Sequence, residues 1–336
     1  MLRIALDAMG GDHAPGHEID GAIDALRRAH NRFEVALVGR EPLIKAELAT
    51  RDVTGLNISV VHAEDVVTMS DSPATVLRAK PASSLVRGLE LHRDRVVDAF
   101  VSAGNTGAVM SASTLILGRI PGVSRPTIGT PFPNERGVCF VLDVGASVDC
   151  KPRHLYEFAV MGSIFVTQLY NCENPKVGLL SVGEEETKGN EATVAANELL
   201  RNSTLNFIGN VEGRDILRGT AEVVVCDGFT GNIVLKFAES VVGLLKTKFA
   251  AYAAKSLKNK LLIGLVRRPM RAVLAEFDYQ NVGGVPLLGV NGVSIIGHGR
   301  STPLAVANMI LKAEEMAVKK VNERIANALR PSIERA

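Results

Sequence analysis

The chain has 336 residues, 46% apolar and 22% charged, with a formal net charge of +2 and no Trp. That balance excludes an intrinsically disordered chain and a surface basic throughout, so a chain-wide nucleic-acid-binding role is not expected and charge has to be read segment by segment. The length is enough to bury a full core in one large or two intimately joined α/β units.

Four cysteines, Cys139, Cys150, Cys172 and Cys226, form no CxxC pair and have no zinc-ligand spacing to histidine. A disulfide scaffold or a metal centre is therefore not expected, and a reducing cytoplasm fits best. The opening MLRIALDAMGGDH runs straight into a strand-like pattern without the apolar stretch of a signal peptide. No stretch approaches ~18 uninterrupted apolar residues, so the expectation is a soluble protein or one on a membrane surface.

In chain order, Arg3 to Asp7 reads as a strand ending in Met9-Gly10-Gly11-Asp12-His13, and Ile19, Ile23 and Leu26 give the next helix its apolar stripe. Phe33 to Val38 is a strand, Leu43 to Ala49 a helix and Ile58 to Val61 a strand. The alternation predicts a mainly parallel sheet with helices on both faces, a three-layer αβα sandwich. Ala63 to Leu85 breaks the rhythm with Ser, Asp, Pro and two cations, Arg78 and Lys80; it reads as a long connection or a substrate loop. Ala99 to Ser102 is a strand leading through Ala103-Gly104-Asn105-Thr106-Gly107 into a helix from Ala108 to Leu117.

Val138 to Asp143 is the next strand, followed by Val144-Gly145-Ala146-Ser147 and a helix from Leu155 to Leu169. Val177 to Ser181 leads through a loop holding Lys188-Gly189-Asn190-Glu191 to a helix from Ala192 to Leu200. Val223 to Cys226 ends at Asp227-Gly228. Thr230-Gly231-Asn232 then supplies small residues of N-cap character, and Ile233, Val234, Phe237, Val241, Leu244 and Leu245 recur at helical spacing. Free N–H groups at such a helix start attract an anion, although a tight turn without a ligand gives the same pattern. Four such loops, those at Gly104, Gly145, Lys188 and Asp227, are expected to gather at the carboxyl edge of the sheet, where ligands bind.

No GxxxxGK[ST], GxSxG or HExxH occurs, and Gly297-His298-Gly299-Arg300-Ser301-Thr302 departs from GxGxxG at its last position. Walker-type NTPases, serine hydrolases and zinc proteases are unsupported, and a nicotinamide enzyme has little support. Lys246 to Arg271 holds eight Lys or Arg and no acid, interleaved with Phe249, Leu257, Leu261, Leu262, Ile263, Leu265, Val266 and Met270. This basic amphipathic stretch suits an anionic membrane or an acidic protein partner; the alternative is a solvated helix pair whose apolar face belongs to the core. Strand and turn patterns then lead to a helix from Pro303 to Asn322.

DAMGGD at Asp7, VSAGNTGA at Val101, DVGASVDC at Asp143 and KGNE at Lys188 resemble motifs of the bacterial phosphate acyltransferases called PlsX. GNVEGRDI at Gly209, CDGFTGN at Cys226 and GHGRS at Gly297 continue that resemblance in order along almost the whole chain. The resemblance implies a fold like that of isopropylmalate dehydrogenase, related to phosphotransacetylase; a single α/β domain over 1–330 is expected, with the basic amphipathic stretch as an insertion at about 246–275. It further implies acyl transfer from acyl-acyl-carrier protein to inorganic phosphate, a homodimer at the cytoplasmic face of the membrane, and delivery of acyl-phosphate to a membrane glycerol-3-phosphate acyltransferase for phospholipid synthesis. By the same resemblance Lys188 and Asn232 are the catalytic residues; no cofactor, metal or nucleic acid is implied.

Such a reaction needs no strong base, because phosphate is already an anion at pH 7 and a thiol of pKa ~8.5 leaves readily. It needs alignment and positive potential. Lys188 is expected to neutralise phosphate and the developing charge, and Asn232 with the N–H groups at Gly231-Asn232 to form an oxyanion hole. Gly104, Asn105, Thr106, Gly189, Asn190, Thr230 and Gly231 are the expected phosphate or substrate contacts. Leu261, Leu262, Leu265, Arg267, Arg268 and Arg271 are the expected membrane or carrier-protein contacts. Asp7, Asp12, Asp143 and Asp227 read as loop organisers that bond backbone N–H groups. His13 and His298 are alternative acids toward the leaving thiol, and Cys226 or Cys150 an alternative acyl-enzyme nucleophile. Two further alternatives are a phosphotransacetylase-like enzyme using acyl-CoA and a non-catalytic scaffold binding carrier protein and lipid.

Overall fold

The computed structural model of the chain describes residues 1–275, 277 and 283–330, without the side chains of Arg271 and Ala272. The strands are β1 (Leu2–Asp7), β2 (Phe33–Gly39), β3 (Ile58–His62), β4 (Ala99–Ser102), β5 (Thr127–Asn134), β6 (Gly137–Leu142), β7 (Val177–Leu180), β8 (Phe207–Val211), β9 (Val223–Val225), β10 (Val285–Leu288) and β11 (Val293–Ile296). They form one sheet in the order β3-β2-β1-β4-β11-β10-β5-β6-β9-β7-β8. Most neighbours are parallel; β10 is antiparallel to both β11 and β5, and β5 is antiparallel to β6.

Those three reversals are an odd number, so β6, β7, β8 and β9 run against β1, β2, β3, β4 and β11. The two parallel halves therefore present their carboxyl ends at opposite ends of the strands. That corrects the expectation of a single edge collecting all four loops. Antiparallel β5 and β10 in the middle invert the second half, and neither was read as a reversal from the sequence. β5 carries Pro131 and Pro133, which the pattern rules read as breaking a strand.

Among the described residues ten helices precede the last strand pair: α1 (Gly16–Arg28), α2 (Glu41–Leu48), α3 (Val76–Ala79), α4 (Ser84–Arg93), α5 (Thr106–Ile116), α6 (Pro152–Tyr170), α7 (Glu191–Arg201), α8 (Gly213–Arg218), α9 (Gly228–Ala254) and α10 (Leu257–Ala275). Helices Pro303–Val318 and Val321–Leu329 follow it. Alternation along the strands divides the core into two layers. Ile4 and Leu6 of β1 belong to the same buried layer as Ile19 and Leu26 of α1, Phe158 of α6 and Ile310; Ala5 belongs to the other, with Leu85 and Leu89 of α4 and Val109 of α5. Phe140 of β6 stacks on Phe165 of α6 with ring centroids 4.3 Å apart. The long connection from Ala63 contains α3 and the start of α4, and Lys80 fastens it by bonds to the Asp71 carboxylate and the Val66 carbonyl.

α9 and α10 differ from every other helix pair. Beyond its first turns α9 packs mainly on α10, and its apolar stripe is open: Phe237 is 69% exposed, and Ile233, Val241, Leu244 and Leu245 are exposed with it. Among the described residues α9 is the one helix long and apolar enough by composition to cross a bilayer, with a mean hydropathy of 1.2 over its window. A search for uninterrupted apolar runs passes over it because Lys236, Glu239, Lys246 and Lys248 interrupt the stretch.

Candidate functional site

At the carboxyl ends of the first half, the glycine loops bind one another. The Ser102 hydroxyl donates to buried Asp7 at 2.8 Å and accepts from the Gly104 N–H at 3.1 Å. A methyl group on Gly10 would lie 2.7 Å from the Asp7 carboxylate and 2.9 Å from the Gly104 nitrogen, so the two loops touch backbone to backbone. Asn105 caps α5 by accepting from the Ala108 N–H, and its amide donates to the carbonyls of Met69 and Asp71. Glu18, 1% exposed, lies over Gly11; burial, then the nearby Asp7 and Asp12 charges, push its carboxyl up to about 7. The expected contacts Gly104 and Asn105 thus have their polar groups committed to the fold, while Thr106 is exposed at the first position of α5.

The second half is built differently. Leu142 of β6 and Leu179 of β7 both lie beside Val225 of β9, so three successive loops leave one edge. In the β6 loop the Asp143 carboxylate accepts the N–H groups of Ile128, Gly145, Ala146 and Ser147, the last at 2.6 Å. Burial lifts this carboxyl above its ordinary range, against the pull of those donors. The β9 loop docks onto it: the Gly228 N–H donates to the Ser147 carbonyl, and a Cβ on Gly231 would stand 1.9 Å from the Asp143 carbonyl oxygen. Only glycine permits that approach, which sets the start of α9.

α9 begins at Gly228, ahead of the N-cap stretch expected at Thr230-Gly231-Asn232. Asp227 is its N-cap, bonded by the Thr230 N–H and hydroxyl, both at 2.8 Å. The Gly231 N–H donates to the Asp227 carbonyl, the first rung of the helical ladder, and Asn232 lies within that ladder. The expectation of free N–H groups at Gly231-Asn232 is therefore corrected. In this first turn it is the Phe229 N–H that lacks an acceptor among the described residues. The Asn232 side chain projects beside Gly145, exposed and without a hydrogen bond among those residues.

On the other side of β9, the Lys188 backbone is held by the Ser181 hydroxyl on its carbonyl and by its own N–H on the Glu185 carbonyl, both at 3.0 Å. Asn190 caps α7 by accepting from the Thr193 N–H, and Gly189 takes a φ of +117° to make the corner. The Lys188 ammonium is exposed and makes no ion pair among the described residues. So fixed backbones present a free cation and a free amide from adjacent strands of one edge.

The alternative chemistries fit poorly. Cys226 is 3% exposed, with its thiol bonded to the Asp143 carbonyl and its pKa driven far up by burial and then by Asp227 and Asp143. Cys150 is half-buried, and burial pushes its thiol up to about 11. His13 and His298 lie with the first-half loops, where His17 bonds the Ser301 carbonyl. No cluster of three metal-ligating side chains occurs among the described residues. Sequence reasoning passed over Arg125, which stands exposed and unpaired just before β5; as β5 runs against β6, that start lies beside the Asp143 loop.

On the hairpin, Leu257 is 75% and Leu265 79% exposed, and Leu261, Leu262, Arg267 and Arg268 are exposed with them. The apolar face of this helix pair is therefore not core within the chain. The side chain of Arg271 lies outside the described residues.

A family model described as "Fatty acid synthesis protein" matches residues 2–324. A phosphate acyltransferase from Chlorobaculum parvum is 47% identical over 98% of this chain and 99% of its own, and one from Chlorobaculum tepidum is 48% identical over 96% and 100%. Among solved structures, a phosphotransacetylase from Streptococcus pyogenes superposes with a TM-score of 0.61 at 14% identity, covering 94% of each chain. The EutD phosphotransacetylase from Staphylococcus aureus gives 0.60 at 15%, with the same coverage. At those identities the likeness concerns the fold.

Proposed function

The chain belongs to the phosphate acyltransferase family and is an enzyme that transfers an acyl group to phosphate, and we propose that its donor is a long-chain acyl thioester of acyl carrier protein. The reaction is read as taking place at the carboxyl edge of β6, β9 and β7. A phosphate oxygen attacks the thioester carbonyl, a C–O bond forms, and the carbonyl oxygen becomes an oxyanion. Collapse breaks the C–S bond, and the thiolate takes the proton that the attacking hydrogen phosphate gives up, to leave acyl-phosphate and free thiol. Lys188 holds the phosphate and offsets its charge, while the Asn232 amide and the Phe229 N–H donate to the oxyanion. The Asp143 loop is the support that keeps α9 and hence Asn232 in place.

The observation that carries this reading is the pair of unpartnered polar side chains, Lys188 in the loop after β7 and Asn232 in the helix after the adjacent strand β9, both with bonded backbones. It is tested by measuring free-thiol release from long-chain acyl-carrier protein and from acyl-CoA, with and without inorganic phosphate. Phosphate-dependent release with the carrier thioester preferred supports it. A phosphate-independent burst would sink it in favour of a cysteine acyl-enzyme.

For the exposed hairpin we propose peripheral attachment to the inner face of the cell membrane through Leu261, Leu262, Leu265, Arg267 and Arg268. Apolar side chains beside unpaired cations suit anionic lipid. The open stripe on the body-proximal part of α9, around Ile233 and Phe237, supports a homodimer. Delivery of acyl-phosphate to a membrane glycerol-3-phosphate acyltransferase follows from that placement.

A further inference from the structure

We propose that Arg125 is a further substrate-binding residue, a second cation that grips the phosphoryl group of inorganic phosphate opposite Lys188. The assignment rests on the reading of the β6, β9 and β7 edge as the reacting edge.

Three observations converge on it. The first is placement. Because β5 is antiparallel to β6, pairing Gly129 with Leu142, the residues just before β5 stand at the end of β6, where the Asp143 loop begins. The Ile128 N–H donates directly to the Asp143 carboxylate, and the Val144 N–H returns a bond to the Ile128 carbonyl.

The second is rigidity of the support. Ser124, the preceding residue, is clamped through its N–H and hydroxyl to the buried Glu157 carboxylate at 2.7 and 2.8 Å, and Arg119 bonds its carbonyl. Pro126 on the other side restricts the Arg125 backbone to extended conformations. The neighbours on both sides are thus fixed, but the guanidinium makes no hydrogen bond or ion pair among the described residues.

The third is reach. Burial sets the Cys150 thiol high and the His154 imidazole low, and the Arg125 charge acts on both, pulling the thiol back and pushing the imidazole further down. Cys150 also feels the Gly228 N–H at the start of α9. The guanidinium and the start of the helix that carries Asn232 thus both act on Cys150. A planar fork of donors matches a phosphoryl group in two-point fashion, which a lone ammonium cannot. With Lys188 from the β7 side and Arg125 from the β5 side, the phosphate is held across the mouth of the β9 loop.

A phosphodiester on the carrier's prosthetic arm presents the same chemistry, and the test separates the two sources. In Arg125→Ala, the KM for inorganic phosphate is expected to rise about 10- to 100-fold, the loss of one charge-assisted bonded contact, with the KM for the acyl thioester unchanged. Arg125→Lys should recover part of that loss. The defect should persist with an acyl-pantetheine donor, which has no phosphodiester. A defect that appears only in the KM for the carrier thioester, and vanishes with acyl-pantetheine, would overturn the assignment, as would an unchanged KM for phosphate in a folded Arg125→Ala protein. Loss of turnover in Lys188→Ala and Asn232→Ala alongside a silent Arg125→Ala would reject Arg125 while leaving the edge reading intact; silence of all three would reject the edge.

Discussion

The two carboxyl edges of the sheet carry loops that look alike in sequence and do opposite things in the structure. At the β1, β4 and β11 edge, Asp7, Ser102, Gly104 and Asn105 satisfy one another and the neighbouring loop. At the β6, β9 and β7 edge, Asp143, Asp227 and Asn190 do that internal work, leaving Lys188, Asn232 and Arg125 free. A polar glycine loop is therefore not a ligand site by composition. Thr106 and Arg300 are exposed at the first edge too; what distinguishes the second is that its left-over donors come from the strands on both sides of β9 and from the start of α9 between them.

The comparison is broken most directly at its strongest point. Asn232→Ala should lower kcat about 100- to 1000-fold, as removal of one oxyanion donor does, with unfolding midpoint little changed because the side chain is exposed. Turnover within a factor of a few of the parent would remove Asn232 from the chemistry.

Glu18 probes the first edge through pH. Its carboxyl stands at about 7 in the fold against an ordinary value of 4.5, so between those values the folded chain keeps a proton that the unfolded chain has lost. Its contribution to stability falls as pH rises across that window, by about 3 kcal/mol in total, and is flat above it. Glu18→Gln should lose that slope: urea unfolding at pH 4.5 and pH 8 should show the variant gaining on the parent by about that amount. An equal slope in both proteins would contradict the burial argument.

The hairpin is expected to act apart from both edges. Charge reversal at Arg267 and Arg268 should weaken pelleting with anionic vesicles by about 30-fold or more, at roughly 1 kcal/mol per cation lost, while turnover on soluble substrates holds. An equal fall in turnover with carrier-linked substrate would make the patch a carrier-protein dock instead. The smallest effect belongs to Asn105→Ala, which removes the α5 cap and should cost about 1 kcal/mol of stability. Its turnover should fall far less than that of Asn232→Ala.

Most strands that alternate with helices were legible because each is a short apolar run with a loop signal after it, as in Ala99–Ser102 and Val223–Val225, whereas β8, Phe207–Val211, broken by Gly209 and Asn210, was passed over. β5 was not, because Pro131 and Pro133 mask a strand that tolerates them, and without β5 and β10 the inversion of the second half is invisible. Lys188 and Asn232 were reached through family motifs; spacing alone does not tell a free lysine from a solvated one. The helix cap was placed too late, at Thr230-Gly231-Asn232, because Asp227, read as the strand's end, is the cap. Arg125 has no local signal at all: it matters only because an antiparallel partner brings the start of β5 beside the end of β6.

The central claim is that phosphate is held at the β6, β9 and β7 edge and not at the β1, β4 and β11 edge. Titration of inorganic phosphate into the parent, Lys188→Ala and Asn105→Ala proteins, followed by 31P NMR, tests it with no acyl donor present. The account predicts weakened binding in Lys188→Ala and parent-like binding in Asn105→Ala; the reverse pattern would contradict it.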